Sequence, residues 1–392
     1  MDRSRVVFLL ISVCCLLLVV FASLSRASTG QADDDSLSKQ LSVFSEVLHL
    51  IRRAYVEETA VDQLLSGALD GTTDALDPLS TFIPADQVES FEQVRHLGPF
   101  RSGLSVVKER GIAYVVAVER GSAGDEAGVA RGDILSTLAG RSTRGMPLWQ
   151  IQKILADDPG TEIDVEILRR GQTEETILTL RDVEERPASV EDRDGIAVLR
   201  IPRFEASTAA AVRTTLQELD QSGRHELIVD LRGVAGGDSA AAYAVAGLFV
   251  TGHLGELAVK AEEKVSFEAM EDPIWSGSSV VLIDGGSLGP AEILAAVLQQ
   301  GAESRLVGER SFGLAGRQSM HPLSDGSRLL LTDAFYTGPD NEPIDESLAP
   351  DLSVSDASRR FADRDLPLDD LILERGLELL LEDREEADRD VA

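Results

Sequence analysis

Apolar and polar residues follow two patterns over the second half of the chain. Four continuous apolar runs are typical of strands buried on both faces, namely residues 195–201, 227–232, 279–284 and 305–309. Between these runs, apolar residues recur at helical spacing, which predicts helices around 211–219, 240–250 and 290–300. This alternation of strands and helices predicts an α/β core.

A turn of small residues separates the third of these strands from its helix. The turn spans 285–289 with the sequence Gly-Gly-Ser-Leu-Gly, after which Pro290 opens the helix and Glu292 stands near its positive end. A strand–turn–helix junction presents backbone N–H groups and one side chain at the end of a sheet. It is therefore a usual place for a catalytic nucleophile.

The last part of the chain contains a hairpin and an acidic tail. Apolar stretches at Met320–Pro322 and Arg328–Phe335 flank a polar turn, which predicts two paired strands at the end of a core domain covering 195–355. The tail, 356–392, is rich in acidic residues and arginine, and its apolar positions predict one helix around 366–381.

The N-terminus has the pattern of an export signal. Arg3 and Arg5 precede an apolar segment at 6–24, so residues 1–27 are predicted to be a cleaved signal or an uncleaved membrane anchor. The segment is long enough to span a hydrocarbon core of about 30 Å, and the two arginines orient the rest of the chain outside. We expect the cell envelope as the location, either anchored to the inner membrane or periplasmic.

The next region, 28–97, combines a linker with a helical module. Residues 28–38 are polar and acidic, whereas apolar residues between Leu41 and Val56 recur at helical spacing. The turn Leu-Asp-Pro-Leu-Ser-Thr-Phe follows at 76–82. This region is predicted to be structural, without chemistry of its own.

Residues 98–182 carry a set of glycine turns in a fixed order. The sequence reads Arg-Ser-Gly-Leu-Ser-Val at 101–106 and Arg-Gly-Asp-Ile-Leu at 131–135. This order resembles a PDZ domain, a small β-sandwich that holds the C-terminus of a polypeptide through backbone N–H groups and strand addition. The resemblance implies four peptide-binding residues, namely Gly103, Leu104, Ser105 and Val106.

Composition removes several classes of function. The 392-residue chain is 43% hydrophobic, enough for a substantial core, and its formal charge of −31 disfavours nucleic acid and anionic membrane surfaces as partners. Both cysteines, Cys14 and Cys15, lie in the N-terminal apolar segment, so the folded part has no thiol chemistry. The five histidines lack ligand-like spacing, and we expect no metal and no cofactor.

The turn at 285–289 and its surroundings resemble the centre of a known peptidase family. Glu292-Ile293, Phe312-Gly313 and the turn at 76–82 match the frames of the carboxy-terminal processing (tail-specific) proteases, a serine–lysine class. The resemblance implies a crotonase/ClpP-like core, with the PDZ domain inserted ahead of it. In this frame, with no insertion, the nucleophile, lysine and glutamine positions fall on Gly289, Leu314 and Gln318.

Two of those three positions cannot perform the family's chemistry. Acyl transfer needs an oxygen that attacks the carbonyl and a neutral amine that takes its proton. Glycine has no side-chain oxygen and leucine has no lone pair, and such losses typically cost on the order of 10⁶-fold in rate. The sequence therefore predicts a protease fold without a catalytic centre.

The oxyanion region is only partly kept. The resemblance assigns glycine amides of this region to an oxyanion hole, and Gly236 and Gly237 are both present. However, Val234 and Ala235 stand where the family usually has asparagine and proline.

A second interpretation keeps catalysis by moving the nucleophile. Residues 285–289 also fit the pattern G-x-S-x-G, which would make Ser287 the nucleophile. Its partners are scarce, because His321 is the only histidine downstream and the nearest upstream lysines are Lys260 and Lys264. The chain is thus a non-catalytic binding or regulatory homologue, an active serine endopeptidase using a displaced serine, or a structural subunit.

The partners expected from these interpretations are polypeptides. The PDZ domain implies polypeptide C-termini or unfolded proteins, and a degenerate homologue would also suit an active paralogous protease. The segment 6–24 implies a membrane contact, and the charge implies no nucleic acid.

Overall fold

A computed structural model describes residues 38–95, 101–182, 187–259, 264–355 and 370–391. The chain divides into two compact units between Ala68 and Leu69. Within the described ranges, no helix is both long enough and apolar enough to cross a bilayer. The apolar segment 6–24 and the linker at 28–37 lie outside these ranges.

The N-terminal elements are mainly helical, as the apolar spacing predicts. They are α1 (38–54), α2 (Val61–Asp74), β1 (Thr81–Ile83), a 3₁₀ turn (Ala85–Gln87) and α3 (Val88–Arg95). The apolar pattern runs on to Val56, but α1 ends two residues earlier and the side chain of Val56 is 89% exposed. The pattern therefore overstates the length of this helix.

The PDZ region forms its own sheet and hydrophobic cluster. Its elements are β2 (Leu104–Glu109), β3 (Ile112–Val118), α4 (Ala123–Glu126), β4 (Ile134–Leu138), β5 (Arg141–Ser142), α5 (Leu148–Leu155), β6 (Glu162–Arg169) and β7 (Gln172–Thr179). The strand order is β2-β3-β4-β6-β7, with β5 paired to β4, so β2 lies at an edge. Helix α5 packs beside β2, and its apolar face belongs to the same cluster.

The core domain is built on a second, mostly parallel sheet. Its elements in chain order are β8 (Ser189–Arg193), β9 (Ile196–Arg200), α6 (Thr208–Gln221), β10 (Glu226–Asp230) and α7 (Ser239–Ala246). Strand order is β17-β14-β13-β10-β9-β8, in which β8 alone of these strands runs antiparallel to its neighbour. The remaining elements are β11 (His253–Val259), β12 (Val265–Glu268), β13 (Ser278–Ile283), α8 (Pro290–Gly301), β14 (Arg305–Gly308), β15 (Gly316–Pro322), β16 (Arg328–Tyr336), β17 (Leu352–Ser353) and α9 (Leu371–Val391).

Side chains of this sheet alternate between two hydrophobic layers. On β13, Val281 and Ile283 face the cluster that contains α6, α7 and α8, whereas Val280 and Leu282 face the cluster that contains α9. Burial on both faces explains why these strands are continuously apolar. A third sheet, with β1, β16, β11 and β12 in order and β15 paired to β16, carries the predicted hairpin.

Three predicted elements differ from the structure. The charged stretch 181–194, which leads from the predicted PDZ range to the predicted core domain at 195, contains β8, whose exposed residues pair with β9 across a turn at Asp194 and Gly195. Helix α7 ends at Ala246 rather than 250, with Gly247 as its C-cap. Helix α9 runs to Val391 rather than 381, and the ion pair of Arg389 with Glu385 supports its polar last turns.

Candidate functional site

The turn after β13 places Gly289 at the N-cap of α8. Its backbone has φ 63° and ψ −110°, a conformation that disfavours residues with a Cβ atom. The space around it is nevertheless open, because a Cβ at this position would meet no atom closer than the carbonyl oxygen of Leu314, at 4.0 Å. The junction has the strained strand-to-helix geometry that presents a nucleophile, but it carries only hydrogen.

Glu292 joins positions 289 and 314, which the sequence predicts to be the nucleophile and lysine positions. Its Oε2 accepts hydrogen bonds from the backbone N–H groups of Gly289 (2.9 Å) and Leu314 (3.0 Å). Its Oε1 accepts from the Gly313 N–H and the Ser311 hydroxyl, each at 2.5 Å. Burial raises the pKa of Glu292, and these four hydrogen bonds oppose that rise. Because every contact is a donor, we assign Glu292 as a carboxylate.

Leu314 and Gln318 lie on the segment that follows Gly313. Leu314 is 7% exposed, and its side chain offers no group that accepts a proton. Gln318, on β15, donates a hydrogen bond from Nε2 to the carbonyl oxygen of Leu79 at 2.7 Å. Gln318 is thus hydrogen-bonded to the turn at 76–82.

The oxyanion-region loop lies against the turn that carries Gly289. Gly236 and Gly237 have φ values of 126° and 122°, and a Cβ on Gly237 would stand 2.4 Å from the carbonyl oxygen of Phe204. The Leu288 N–H donates to the carbonyl oxygen of Val234 at 3.0 Å. Glycine is therefore required at 237 by close backbone approach, and the loop keeps its place beside the turn.

Asp284 and Arg131 connect this loop to the PDZ domain. Asp284 Oδ1 accepts from the N–H groups of Gly233 and Gly286, both at 2.9 Å. Arg131 of the PDZ domain lies 3.4 Å from Asp284 Oδ2 through Nε and donates from Nη2 to Glu309 at 2.8 Å. One guanidinium thus spans the ends of β13 and β14.

The predicted peptide-binding residues lie at the start of edge strand β2. Leu104 and Val106 are buried in the PDZ cluster, whereas Ser105 points the other way and donates from Oγ to the Ala235 carbonyl oxygen at 3.3 Å. The Leu104 N–H donates to Ser102 Oγ at 3.2 Å, so the side chain of Ser102 now occupies one of the groups expected to hold a carboxylate. Gly103, at φ 67°, makes the turn into the strand.

Ser287, the alternative nucleophile, is fully buried. Its Oγ donates to the Leu231 carbonyl oxygen at 2.9 Å and accepts from the Asp284 N–H at 3.0 Å. His321 is exposed, and Lys264 pairs with Glu256. Lys260 lies outside the described residues. In the described ranges no group of three acidic, histidine or cysteine side chains is arranged to hold a metal ion.

Sequence reasoning missed the roles of Glu292, Asp284 and Arg131. Glu292 was seen only as a favourable charge near a helix start. A Glu at the third helical position is also a signal for a bond to the N-cap N–H, and this contact forms. No comparable local signal exists for the contacts of Asp284 with Gly233 and Arg131, or of Arg131 with Glu309, since these residues come from distant parts of the chain.

Comparisons with known proteins agree with this architecture. The family model described as peptidase family S41 matches residues 195–354, and a PDZ domain model matches 114–169. The chain is 28% identical over 324 residues to the carboxy-terminal processing protease CtpA of Bacillus subtilis, covering 81% of this chain and 68% of that protein. It is 23% identical over 356 residues to a probable CtpA-like serine protease of Staphylococcus epidermidis, covering 89% and 72%.

A solved structure supports the same fold. The photosystem II D1 C-terminal processing protease superposes with a TM-score of 0.63 at 24% identity, covering 80% of this chain and 92% of that one. The predicted family and fold class are thereby confirmed. The chain contains a peptidase family S41 domain and a PDZ domain, and carboxy-terminal processing proteases are among its relatives.

Proposed function

We propose that this chain is a non-catalytic member of its family, which binds polypeptide C-termini and acts as an adaptor or regulatory partner. The observation that carries the proposal is Gly289 in the strained turn, with Leu314 bonded to the same carboxylate, Glu292. The two residues stand where an oxygen and an amine are needed, and neither has one. An active paralogous protease is a suitable partner for such a chain.

The displaced-nucleophile alternative requires Ser287 to leave its present contacts. Its hydroxyl is fully buried and engaged both as a donor and as an acceptor, so an attack on a substrate would first break two hydrogen bonds. Neither of these two partners is a base, since one is a carbonyl oxygen and the other an N–H. These contacts suit a turn residue better than a nucleophile.

Labelling with a serine-directed phosphonate tests the proposal directly. The full chain, kept in mild detergent because of its apolar segment 6–24, is expected neither to react nor to cleave an unfolded protein. The Ser287→Ala variant is the control. Labelling that is lost in this variant would contradict the proposal and establish the displaced nucleophile.

Introducing a serine at 289 and a lysine at 314 tests whether these are the nucleophile and lysine positions. Gly289→Ser combined with Leu314→Lys is expected to recover at most a trace of proteolysis, since serine at φ 63° costs about 1 kcal/mol or more. Each single change is expected to give no activity, because the two groups act as a unit. Activity in Gly289→Ser alone would show that Leu314 is not the base position.

Binding is tested with peptides that differ only at their C-terminus. A peptide with a free, apolar last residue is expected to bind with micromolar or weaker affinity, whereas its amidated form should not bind. Equal binding of both forms would contradict a role for the loop at Gly103 and Leu104.

We also propose that the chain acts in the cell envelope, held at the outer face of the cytoplasmic membrane by segment 6–24. The two arginines ahead of that segment support this orientation. Fractionation and N-terminal sequencing test it. A mature N-terminus at Ser28 in a soluble fraction would replace the anchor with a cleaved signal.

A further inference from the structure

Lys108 occupies an unusual position for a lysine. It lies on β2, two and four residues beyond Val106 and Leu104, so its side chain leaves the strand on the face that packs into the PDZ cluster. It is 5% exposed. A buried ammonium group is costly unless a negative charge stands near it.

The negative charges near Lys108 come from outside the PDZ domain. Asp74 Oδ2 lies 3.4 Å from Nζ, and Asp70, one turn earlier on α2, adds a second negative charge that interacts electrostatically with Lys108. The arrangement is incomplete, because Asp70 Oδ1 is buried without a hydrogen-bond partner among the described residues. Leu79, which follows α2, also packs against the PDZ cluster.

Strand addition defines which ligand residue would meet Lys108. A peptide that pairs with the free edge of β2 and ends beside Leu104 runs antiparallel to the strand, with alternate residues on each face. Val106 is then opposite the residue two before the last, and Lys108 opposite the residue four before the last. The pairing irregularity between Ser105 and Val106 places its extra residue on β3, so the alternation along β2 is regular.

We propose that Lys108 is a specificity residue, which selects C-terminal peptides with a glutamate or aspartate four residues before an apolar last residue. This inference rests on the proposed function of the PDZ groove. In the unliganded chain Asp74 and Asp70 neutralise the ammonium group, and a peptide carboxylate takes their place. The ligand therefore competes with helix α2 for the same charge.

A glutamate scan tests the position. Decapeptides with a free C-terminal valine carry a single glutamate, moved from one to six residues before the end, and each has a glutamine counterpart. Binding to the full chain in mild detergent is measured by fluorescence anisotropy. A peptide with glutamate four residues before its last residue is expected to bind about fivefold to tenfold more tightly than its glutamine counterpart. At the other positions the two affinities should differ by less than about twofold.

Variants on the two sides of the ion pair test the mechanism. Lys108→Met, which keeps an unbranched side chain of similar length, should remove the glutamate preference, so that the glutamate and glutamine peptides bind with equal affinity. Asp74→Asn should raise the preference by a further two- to threefold or so, because a competitor is lost. Lys153→Met, which removes an exposed lysine of the same domain, is the matched control and should leave the glutamate preference as it is.

Each outcome bears on a different part of the proposal. Equal affinities at all glutamate positions, or a glutamate preference that persists in Lys108→Met, overturn the inference. If free peptides still bind and amidated peptides do not, the proposed function of the groove stands even so. If Lys108→Met does not fold, the Asp74→Asn variant decides: a glutamate preference that is unchanged or lower in this variant overturns the inference. Equal binding of all peptides, amidated forms included, overturns both the inference and the proposed function.

Discussion

The cleft at Gly289 and the groove beside β2 each have an acidic side chain with buried oxygen, but the two side chains differ in their partners. In the cleft, both oxygens of Glu292 are satisfied by four donors from the chain itself. Beside the groove, the partly buried Asp70 has one oxygen without a hydrogen-bond partner among the described residues, and Lys108 pairs with Asp74 of helix α2. The cleft is closed as a polar network, whereas the groove is incomplete.

This difference separates the framework of a site from its chemistry. A fully satisfied network fixes the backbone of the cleft around Gly289 and Leu314. A buried acceptor without a hydrogen-bond donor, in contrast, leaves part of its desolvation cost uncompensated. Substitutions in the two regions should therefore have different consequences.

Removal of Glu292 is expected to give the largest effect. Glu292→Ala leaves four donors buried without an acceptor, and we expect a loss of about 3–5 kcal/mol in the free energy of unfolding. Glu292→Gln should lose less, since one oxygen remains. Urea unfolding followed by tryptophan fluorescence measures both, with exposed Glu342→Gln as the control. A loss below about 1 kcal/mol in Glu292→Ala would show that the cleft is not held by this network.

Two glycines of the cleft are expected to differ in their tolerance of a side chain. Gly237→Ala forces a Cβ to 2.4 Å from the Phe204 carbonyl oxygen and should cost about 3 kcal/mol or more. Gly289→Ala meets open space and should cost about 1–2 kcal/mol, from its φ alone. The same unfolding measurement compares them. Equal costs would mean that the space at Gly289 is not present in solution.

Removal of Arg131, which joins the PDZ domain to the ends of β13 and β14, should have a moderate effect on stability. Arg131→Ala removes the contacts to Asp284 and Glu309 and is expected to cost about 1–2 kcal/mol, because the guanidinium is only partly buried. Thermal unfolding checks this value. Arg110→Ala, whose side chain is 88% exposed, is the control. If both variants lose the same amount, the bridge does not contribute to stability.

The smallest effect concerns pH and the groove. Burial raises the pKa of Asp70 from 3.8 to about 6, and Lys108 opposes this rise. Since the folded-state pKa is above the unfolded value, protonation favours the folded state, and stability is gained as the pH falls through 6 towards 3.8. Asp70→Asn should remove this gain, which we expect to be below about 1 kcal/mol because water screens the group.

Unfolding at pH 7.5 and pH 5 measures this difference between Asp70→Asn and the unaltered chain. The variant should be slightly more stable at the higher pH, relative to the unaltered chain, than at the lower one. A difference that does not change with pH would show that Asp70 titrates normally, and the groove would then be as well satisfied as the cleft.

Much of the core and the strand–turn–helix junction were predictable from the sequence. Burial on both faces makes β9, β10 and β13 continuously apolar, and the small-residue turn before Pro290 marks a strand–turn–helix junction. Element ends were less predictable. The exposed, charged strand β8 carries no burial signal, and the polar end of α9 beyond its apolar residues is supported by an ion pair between Arg389 and Glu385.

The sequence by itself determined which atoms the chain has for chemistry: no oxygen at 289, no amine at 314 and one glutamine at 318. Covalent identity decides this, and no fold can change it. Only the tertiary structure decided that Glu292 ties positions 289 and 314 together, that Ser287 is buried, and that Asp74 of α2 neutralises Lys108 of β2. These contacts join residues from separate elements, and burial and partner choice arise only when those elements pack.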